Sequence, residues 1–362
     1  MKLLFFIGTM RGGGAERVMA ILTDELAKRG HEVTLVTMIT EQPFYILNKR
    51  IKLRQRRNRR GNSFMARIIH RLNTYFFIRK MIKSENPSVV ISFMWHLNSI
   101  VLTSTVFLKV PIIASEHSAF DIELPFIKRI KKFHVNKLAD KVTVLTEHDF
   151  EFMKDRLKNV YLMPNPLAFK PIEKYNAQRQ KNIIAVGNID RFIGKGFDSL
   201  IKIWSEIAFL YPDWKLQIAG KGTLQNIKNL QNIAKQYHVS KQFELIGQIQ
   251  NLALKFREST IFILSSKYEG FGMVLIEAMS QGCACISYDC KTGPREIITH
   301  NVDGILVDDQ NMEAMKNAIS DLIENSEKRT FLAENAIKSV KRFSVKKIVD
   351  KWEMLLNEVI TK

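Results

Sequence analysis

The sequence lacks any apolar run of the roughly 18 residues that a membrane-spanning helix requires. The nearest candidate, at positions 97–108, is short and interrupted by polar residues. The N-terminal segment MKLLFFIGTM is too short for a signal peptide and continues into glycines rather than into a cleavage site. We therefore expect that the chain does not cross a membrane and that this segment is a first strand.

Cysteine is also scarce. The three cysteines, Cys283, Cys285 and Cys290, match neither a zinc-binding spacing nor a CxxC redox pair. Because no disulfide framework or secretion signal is present, we expect a reducing cytoplasm in which these thiols are small buried residues.

Acidic residues are outnumbered, since 36 Asp and Glu stand against 55 Lys and Arg and give a formal net charge of +19. Positions 49–83, which we call the basic segment, contain thirteen Lys and Arg and no acid. Such a density attracts phosphates, nucleic acid or an anionic membrane, or it is simply a solvated face.

The length of 362 residues predicts two domains. In the first, a strand at 2–8, a helix at 15–30 and a strand at 31–39 form a βαβ unit, which is typical of a doubly wound parallel sheet. Further strands are predicted at 88–93, 110–115 and 141–145.

The segment MPNPLAFKP at 163–171 contains three prolines and reads as a connector between domains. After it the alternation restarts, and we predict domains at 1–167 and 180–340. The predicted strands are at 182–187, 214–219, 243–246 and 261–264, with helices at 197–211 and 224–237. A final amphipathic helix at 344–360, capped by Ser344, is expected to pack back on the first domain.

Glycines mark the first candidate site. Gly12, Gly13 and Gly14 lie between a strand and a helix N-terminus, where backbone N–H groups can approach a phosphate. The spacing is not that of the dinucleotide fingerprint, and a simple tight turn is the alternative.

The second candidate site is SSKYEGFGMVLIEAMSQG at 265–282. A helix that starts near Gly272 would present the backbone N–H groups of Phe271, Gly272, Met273 and Val274 to a diphosphate. Glu269 precedes this helix and Glu277 lies on it. Carboxylates in these positions can accept hydrogen bonds from the hydroxyls of a sugar and a ribose.

With these motifs the chain resembles the retaining glycosyltransferases of family 4, which have the GT-B fold. The resemblance covers most of the chain and is carried by several motifs in order: GGAE at 13–16, SEH at 115–117, PNP at 164–166, Gly187 with Arg191 and Lys195-Gly196, IAGKG at 218–222, LIGQI at 245–249, and YEGFGMVLIEAMSQG at 268–282. It implies two Rossmann-like α/β/α domains that face each other across a cleft, the first for the acceptor and the second for the nucleotide sugar.

The resemblance also implies roles for single residues. Arg191 and Lys195 would neutralise the donor diphosphate, Glu269 would bind the sugar, Glu277 the ribose, and His117 would face the donor sugar. The remaining donor-binding positions are glycines, namely Gly13, Gly14, Gly187, Gly220, Gly247, Gly270 and Gly272. No metal and no cofactor is expected, because cationic side chains and helix N-termini would balance the leaving diphosphate.

A finer resemblance comes from GGGAERV at 12–18 and DCKTGPREII at 289–298. These segments look most like bacterial enzymes that build surface polysaccharides, lipopolysaccharide or undecaprenyl-diphosphate-linked oligosaccharides. This implies a UDP-sugar donor of the UDP-GalNAc, UDP-Gal or UDP-Glc class and a lipid-linked or surface-glycan acceptor. It also implies a cytoplasmic enzyme attached to the inner face of the plasma membrane.

Within the basic segment, Met65, Ile68, Ile69, Leu72, Tyr75 and Phe76 follow helical spacing, which predicts an amphipathic basic helix. The alternative is that these apolar residues belong to an ordinary core. The residues expected to meet the membrane or the acceptor are Arg56, Arg57, Arg59, Arg60, Arg67 and Arg71.

Two other functions remain open from the sequence. One is a nucleotide-sugar epimerase of GT-B fold, against which the E-x7-E pair in an EGFG context argues. The other is a nucleic-acid-binding protein that uses the basic segment, although stacking aromatics near 54–60 and a known binding motif are missing.

Overall fold

The computed structural model describes residues 1–57, 63–118 and 132–361. The chain divides into two compact units. Unit 1 comprises Met1–Ala168 and Phe343–Lys362, and unit 2 comprises Phe169–Arg342. The division at Ala168 falls within the proline-containing segment.

Unit 1 is built on a parallel sheet with the strand order β3-β2-β1-β4-β5-β6-β7. Most residues of its central strands are buried, as expected of a parallel sheet that is covered on both faces. Its strands are β1 (Lys2–Ile7), β2 (Glu32–Thr37), β3 (Lys52–Gln55), β4 (Val89–Phe93), β5 (Ile112–Ser115), β6 (Lys141–Val144) and β7 (Val160–Leu162). Its helices with complete bounds are α1 (Gly14–Lys28), α2 (Phe64–Glu85), α3 (Trp95–Thr105), α4 (Glu147–Lys154) and, from the C-terminus, α12 (Val345–Ile360).

Unit 2 repeats this plan with a parallel sheet in the order β10-β9-β8-β11-β12-β13. Its strands are β8 (Gln180–Val186), β9 (Lys215–Ala219), β10 (Phe243–Gly247), β11 (Ser259–Leu264), β12 (Ala284–Tyr288) and β13 (Ile305–Val307). Its helices are α5 (Phe197–Ile207), α6 (Leu224–Gln236), α7 (Leu252–Glu258), α8 (Met273–Ser280), α9 (Pro294–Ile297), α10 (Met312–Glu324) and α11 (Ser326–Ser339).

Both sheets are therefore doubly wound, and the predicted pair of Rossmann-like domains is confirmed. In each sheet the strand order reverses direction beside the first strand, between β1 and β4 and between β8 and β11. Ligands of doubly wound sheets bind outside the carboxyl ends of the strands at this switch point. Functional side chains are consequently expected among the residues that follow these strands.

The three cysteines are buried and unbridged, as the sequence predicts. They lie in or beside β12. Burial raises the pKa of the Cys283 and Cys290 thiols to about 12, so both are protonated at neutral pH. They act as small core residues rather than as nucleophiles.

The C-terminal helix α12 belongs to unit 1, where it contacts α1 and β4. Six apolar residues of its stripe are buried. At the contact with α1, the guanidinium of Arg29, which follows α1, donates to Asp350 at 2.6 Å and to Glu353 at 2.7 Å. Ser344 precedes the helix, but its side chain makes no capping hydrogen bond, so that prediction is wrong; hydrophobic contact and the ion pairs hold this helix instead.

Four strands, β3, β7, β12 and β13, are not predicted from the sequence. The basic segment contains a short strand, β3, whose sequence KLRQ alternates between exposed and half-buried residues. It pairs with β2 at the edge of the sheet, where one neighbour and partial burial suffice to form a strand.

None of the helices in the described ranges is long and apolar enough to span a bilayer.

Candidate active site

Two side chains of unit 2 meet where β8 and β11 end. The ammonium Nζ of Lys195 lies 2.7 Å from Oε1 of Glu269, and both side chains are largely buried. Lys195 follows β8 and Glu269 follows β11, so the pair lies at the switch point of the sheet. The structure thus brings together the cation and the carboxylate that the sequence singled out separately.

Backbone hydrogen bonds join the two loops that carry this pair. Ser265 Oγ donates to the carbonyl oxygen of Lys195 at 2.8 Å, and Lys267 N donates to that of Gly194 at 3.0 Å. The Lys195 N–H donates to the carbonyl of Arg191 at 2.9 Å. Because each loop fixes the other, the Lys195 and Glu269 side chains start from defined backbone positions.

Two glycines make this close approach possible. A Cβ at Gly196 would lie 2.0 Å from the Ser265 carbonyl oxygen, and one at Gly220 would lie 1.8 Å from the Gly187 carbonyl oxygen. Both partners are backbone atoms, which cannot move aside as a flexible side chain can. Gly247 ends β10, and its carbonyl accepts from Gly220 N at 2.8 Å. Gly187, Gly220 and Gly247 therefore stand side by side at the carboxyl ends of neighbouring strands.

Arg191 lies in a short 3-10 helix, Ile189–Arg191, between β8 and Lys195. Its guanidinium is 5.9 Å from the ring centroid of Tyr268, which precedes Glu269. The preceding Asp190 accepts hydrogen bonds from Thr223 N and from Asn226 Nδ2 at the start of α6. The bonds from Asn226 and Thr223 lower the pKa of Asp190 and tie this turn to the next helix.

The EGFG segment forms the turn into α8, as predicted. Gly272 caps the helix with a φ of +99°, a conformation suited to glycine, and no side chain caps the N-terminus. Gly270 and Phe271 precede it, and Met273 and Val274 begin the helix. The partial positive charge of the helix N-terminus is thus available to an anion beside Glu269.

Glu277 lies within α8 and is fully buried. Its backbone carbonyl accepts a hydrogen bond from Ser280 Oγ at 2.7 Å. Its carboxylate is therefore an interior group, less accessible than that of Glu269.

One supporting segment was not assigned a role from the sequence. Thr292 Oγ1 donates to the backbone carbonyl of Glu269, and a Cβ at Gly293 would lie 2.3 Å from the Phe271 carbonyl oxygen. Arg295 binds Asp289 through two nitrogens at 2.8 and 2.9 Å and braces the same segment. The sequence indicates this supporting role through TGPRE at 292–296, because a Thr-Gly-Pro turn beside a functional loop indicates close backbone packing.

In unit 1, His117 follows β5 and is half-buried. Its ring stacks on Phe93 with centroids 4.2 Å apart, and its Nε2 lies 3.0 Å from Ser115 Oγ. Burial lowers the pKa of His117 to about 3, so the ring is neutral at physiological pH. A neutral imidazole can donate or accept a hydrogen bond but does not supply a positive charge.

The glycine turn before α1 is also in unit 1. Gly13 is the N-cap residue and Gly14 the first residue of the helix, with no side chain capping it. Gly12 has a φ of +105° and packs against Phe44. Thr9 Oγ1 donates to Glu16 Oε1 at 2.9 Å, which places an acidic group at this N-terminus.

The basic segment differs from expectation at Arg56, which is only 8% exposed. Its guanidinium lies 5.9 Å from the Phe77 ring centroid, and burial lowers its pKa. Arg56 therefore packs inside unit 1 rather than meeting a surface partner. Arg57, Arg67 and Arg71 are exposed, whereas Arg59 and Arg60 lie outside the described residues.

The apolar residues of α2 are not core residues in its first half. Phe64 is 75% exposed, and the burial of this helix falls on Thr74, Ile78 and Ile82 near its C-terminal half. The other exposed apolar residues of α2 are Met65, Ile68, Ile69, Leu72 and Phe76, while Tyr75 is half-buried. The alternative that this apolar stripe forms ordinary core is therefore wrong for these exposed positions.

No group of three or more His, Cys, Asp or Glu side chains that could hold a metal ion occurs within residues 1–57, 63–118 and 132–361.

Comparison with known proteins assigns the fold and identifies related glycosyltransferases. The structure superposes on Anabaena HepE in complex with UDP and glucose with a TM-score of 0.82 at 15% identity, over 99% of each chain. This likeness, with two doubly wound units, defines a GT-B glycosyltransferase fold.

Two glycosyltransferase family models match the chain, each over slightly less than half of its length. Residues 12–186 match the family described as Glycosyltransferase Family 4, and residues 170–339 match the one described as Glycosyl transferases group 1. The chain is 29% identical to the amylovoran biosynthesis glycosyltransferase AmsD of Erwinia amylovora, over 98% of this chain and 99% of that one.

A second relative is a Campylobacter jejuni enzyme, 27% identical over 99% of both chains. It is named GalNAc-α-(1→4)-GalNAc-α-(1→3)-diNAcBac-PP-undecaprenol α-1,4-N-acetyl-D-galactosaminyltransferase. These relatives are transferases of bacterial glycan synthesis, which favours transfer over the epimerase and nucleic-acid alternatives.

Proposed function

We propose that this enzyme transfers a hexose or N-acetylhexosamine, with retention of configuration, from a UDP-sugar of the UDP-GalNAc, UDP-Gal or UDP-Glc class. The acceptor is a lipid-linked oligosaccharide or a surface glycan. The observation that carries the proposal is the Lys195–Glu269 pair at the switch point of unit 2, beside the uncapped N-terminus of α8. The names of the relatives support the choice of donor and acceptor class.

In this proposal the diphosphate and the sugar separate the ion pair. The phosphate oxygens take the ammonium of Lys195, the guanidinium of Arg191 and the first N–H groups of α8 as partners. Glu269 is then free to accept hydrogen bonds from the sugar hydroxyls, and Glu277 receives the ribose. Since the negative charge on the diphosphate grows as the glycosidic bond breaks, Lys195 and Arg191 stabilise the transition state more than the ground state.

Retention follows from the proposed direction of attack. The acceptor hydroxyl approaches the face from which the diphosphate leaves, through an oxocarbenium-like state similar to that of glycoside hydrolysis. A phosphate oxygen of the leaving group takes the proton. Glu269 serves to bind the sugar hydroxyls rather than as a nucleophile.

The positive charge of Lys195 and Arg191 also underlies a proposal of metal-independent transfer. We expect full activity after the enzyme is treated with EDTA. Loss of activity that manganese or magnesium restores would contradict this part of the proposal.

The exposed half of α2 supports attachment to an anionic membrane on its cytoplasmic side. Apolar side chains on this helix stand next to Arg67 and Arg71, a combination suited to the boundary between headgroups and acyl chains. Phe107, which has a φ of +67°, adds a second apolar anchor because its side chain is 97% exposed. Arg79 of α2 holds the adjacent turn by donating to the Val106 carbonyl at 3.0 Å.

The test of the donor site is a thermal-shift measurement with UDP-GalNAc, UDP-Gal and UDP-Glc, followed by a transfer assay with the UDP-sugar that gives the largest shift. A donor present at a hundred times its dissociation constant should stabilise the fold by about 2.7 kcal/mol. Lys195→Ala should abolish this shift, while Lys181→Ala, an exposed lysine of the same unit, should keep it. An equal shift in both variants would overturn the donor-site assignment.

A further inference from the structure

His117 is held by residues from three neighbouring strands of unit 1. Phe93 ends β4 and is the register partner of Ser115, which ends β5; Ser115 is in turn the register partner of Thr143 on β6. All three partners are buried. Register partners in a parallel sheet stand side by side, so these side chains form one row at the carboxyl edge of the sheet.

One hydroxyl chain leads along this row to the imidazole. Thr143 Oγ1 donates to Ser115 Oγ at 2.7 Å, and Ser115 Oγ lies 3.0 Å from Nε2 of His117. Because Ser115 accepts from Thr143, its own hydroxyl proton is available for Nε2. A neutral imidazole that accepts at Nε2 carries its proton on Nδ1.

The other ring nitrogen agrees with this orientation. Nδ1 of His117 is buried, and within the described ranges it has no hydrogen-bond partner. Buried polar groups are nearly always satisfied, so a donor of this kind points to an acceptor on a bound molecule or a water. An N–H at this position suits a hydroxyl oxygen of a sugar.

Aromatic stacking fixes the plane of the same ring. The Phe93 ring stacks with His117, at 4.2 Å with an interplanar angle of 28°, and with Trp352, at 6.3 Å with an angle of 23°. Trp352 belongs to α12 and is 2% exposed. The C-terminal helix thus reaches the histidine through one intervening ring.

We propose that Ser115 and Thr143, together with the Phe93–Trp352 stack, are positioning residues that hold His117 in the Nδ1–H tautomer and present Nδ1 as a hydrogen-bond donor to the substrate. The inference rests on the proposed transferase function and on the expectation that His117 faces the donor sugar. It assigns α12 a function besides stability, since Trp352 of this helix stacks on Phe93, and Phe93 stacks on His117.

The first test reads the tautomer directly, by nitrogen-15 NMR of histidine-labelled full-length chain, and needs no substrate. We expect the Nδ1–H form of His117 in the wild type and in Thr143→Ser, which keeps the hydroxyl. Ser115→Ala and Thr143→Val should lose this preference. Ser92→Ala and Thr37→Val are matched controls, because they remove other buried hydroxyls of the same sheet. An Nε2–H form in the wild type, or an unchanged tautomer in Ser115→Ala, would overturn the proposal.

The second test separates positioning from binding. With the UDP-sugar selected by thermal shift, Ser115→Ala and Trp352→Leu should lower kcat about tenfold with little change in the donor KM, which corresponds to one misplaced hydrogen bond. Leu356→Ala, another buried residue of α12, should lower the melting temperature without this loss of kcat. Equal losses of kcat in Trp352→Leu and Leu356→Ala would refute the role of the stack.

A His117→Ala variant separates the proposed role of His117 in transfer from the effect of its neighbours on its tautomer. Wild-type transfer by His117→Ala would overturn the proposed role of the histidine in catalysis. The NMR result on Ser115→Ala would still decide whether the hydroxyl chain sets the tautomer.

Discussion

Unit 2 places its candidate site among closely packed backbone, whereas the candidate membrane surface of unit 1 is the exposed first half of α2. At the Lys195–Glu269 pair the two supporting loops bind each other, and added Cβ atoms at two glycines would meet carbonyl oxygens within about 2 Å. On α2, by contrast, Phe64 and the apolar residues after it lie exposed.

This difference shows two ways in which a fold prepares recognition. A small, highly charged ligand such as a diphosphate requires donors at defined distances, and rigid loops provide them. A lipid surface has no fixed geometry, so apolar area and positive charge contribute additively there. Single substitutions should therefore be severe in unit 2 and gradual on α2.

The largest effect is expected at the ion pair. Glu269→Ala and Lys195→Ala should each lower transfer at least about a hundredfold, because a charge-assisted hydrogen bond to the reacting group is lost. Glu277→Ala should mainly weaken UDP binding, as its proposed partner is the ribose. Steady-state kinetics of the three variants measure this order. Full activity in Glu269→Ala would break the comparison.

Next in size is membrane attachment. Replacing Arg57, Arg67 and Arg71 together by Gln should weaken binding to anionic liposomes by about 1 kcal/mol for each residue. The matched control replaces the exposed Lys228, Lys235 and Lys241 of unit 2, which removes the same charge elsewhere. Co-sedimentation with vesicles that contain phosphatidylglycerol is the measurement. If both triple variants sediment alike, only net charge matters and α2 is not the attachment surface.

Two glycines test rigidity in the two units. Gly220→Ala should lower the free energy of unfolding by roughly 1–3 kcal/mol, since its Cβ would lie 1.8 Å from the Gly187 carbonyl oxygen. Gly8→Ala, after β1 in unit 1, has no atom within 4 Å of the added Cβ and should be neutral or slightly stabilising. Denaturant unfolding gives both values. Similar losses would show that space at the Gly220 backbone is not the cause.

The last effect appears only below neutral pH and concerns His117, which shows that unit 1 also has a constrained region. Burial lowers its pKa from 6.5 to about 3. Between these values the unfolded chain binds a proton that the folded protein does not, so the free energy of unfolding falls as the pH drops below about 6.5. The contribution is at most about 1.4 kcal/mol per pH unit. His117→Gln should lose less stability than the wild type between neutral and mildly acidic pH in chemical unfolding; equal loss would contradict a neutral ring in the folded protein.

Much of the fold was predictable because each unit alternates buried strands with helices. The strands of the first βαβ unit differ from prediction by at most two residues at either end. The edge strand β3 was missed because KLRQ has too few apolar residues to indicate a strand. Short strands of this kind depend on a neighbour, which a local pattern does not reveal.

Residue types and their order alone determined the two parallel sheets and the positions of Lys195, Glu269 and His117 after predicted strands, because hydrophobic periodicity and glycine placement are local properties. Only the tertiary structure decided that Lys195 and Glu269 pair, that Arg56 is buried while the first half of α2 is exposed, and that Trp352 stacks on the ring behind His117. These outcomes join residues as far apart as positions 93 and 352. Such distant contacts depend on strand order and helix packing, which the local pattern does not specify.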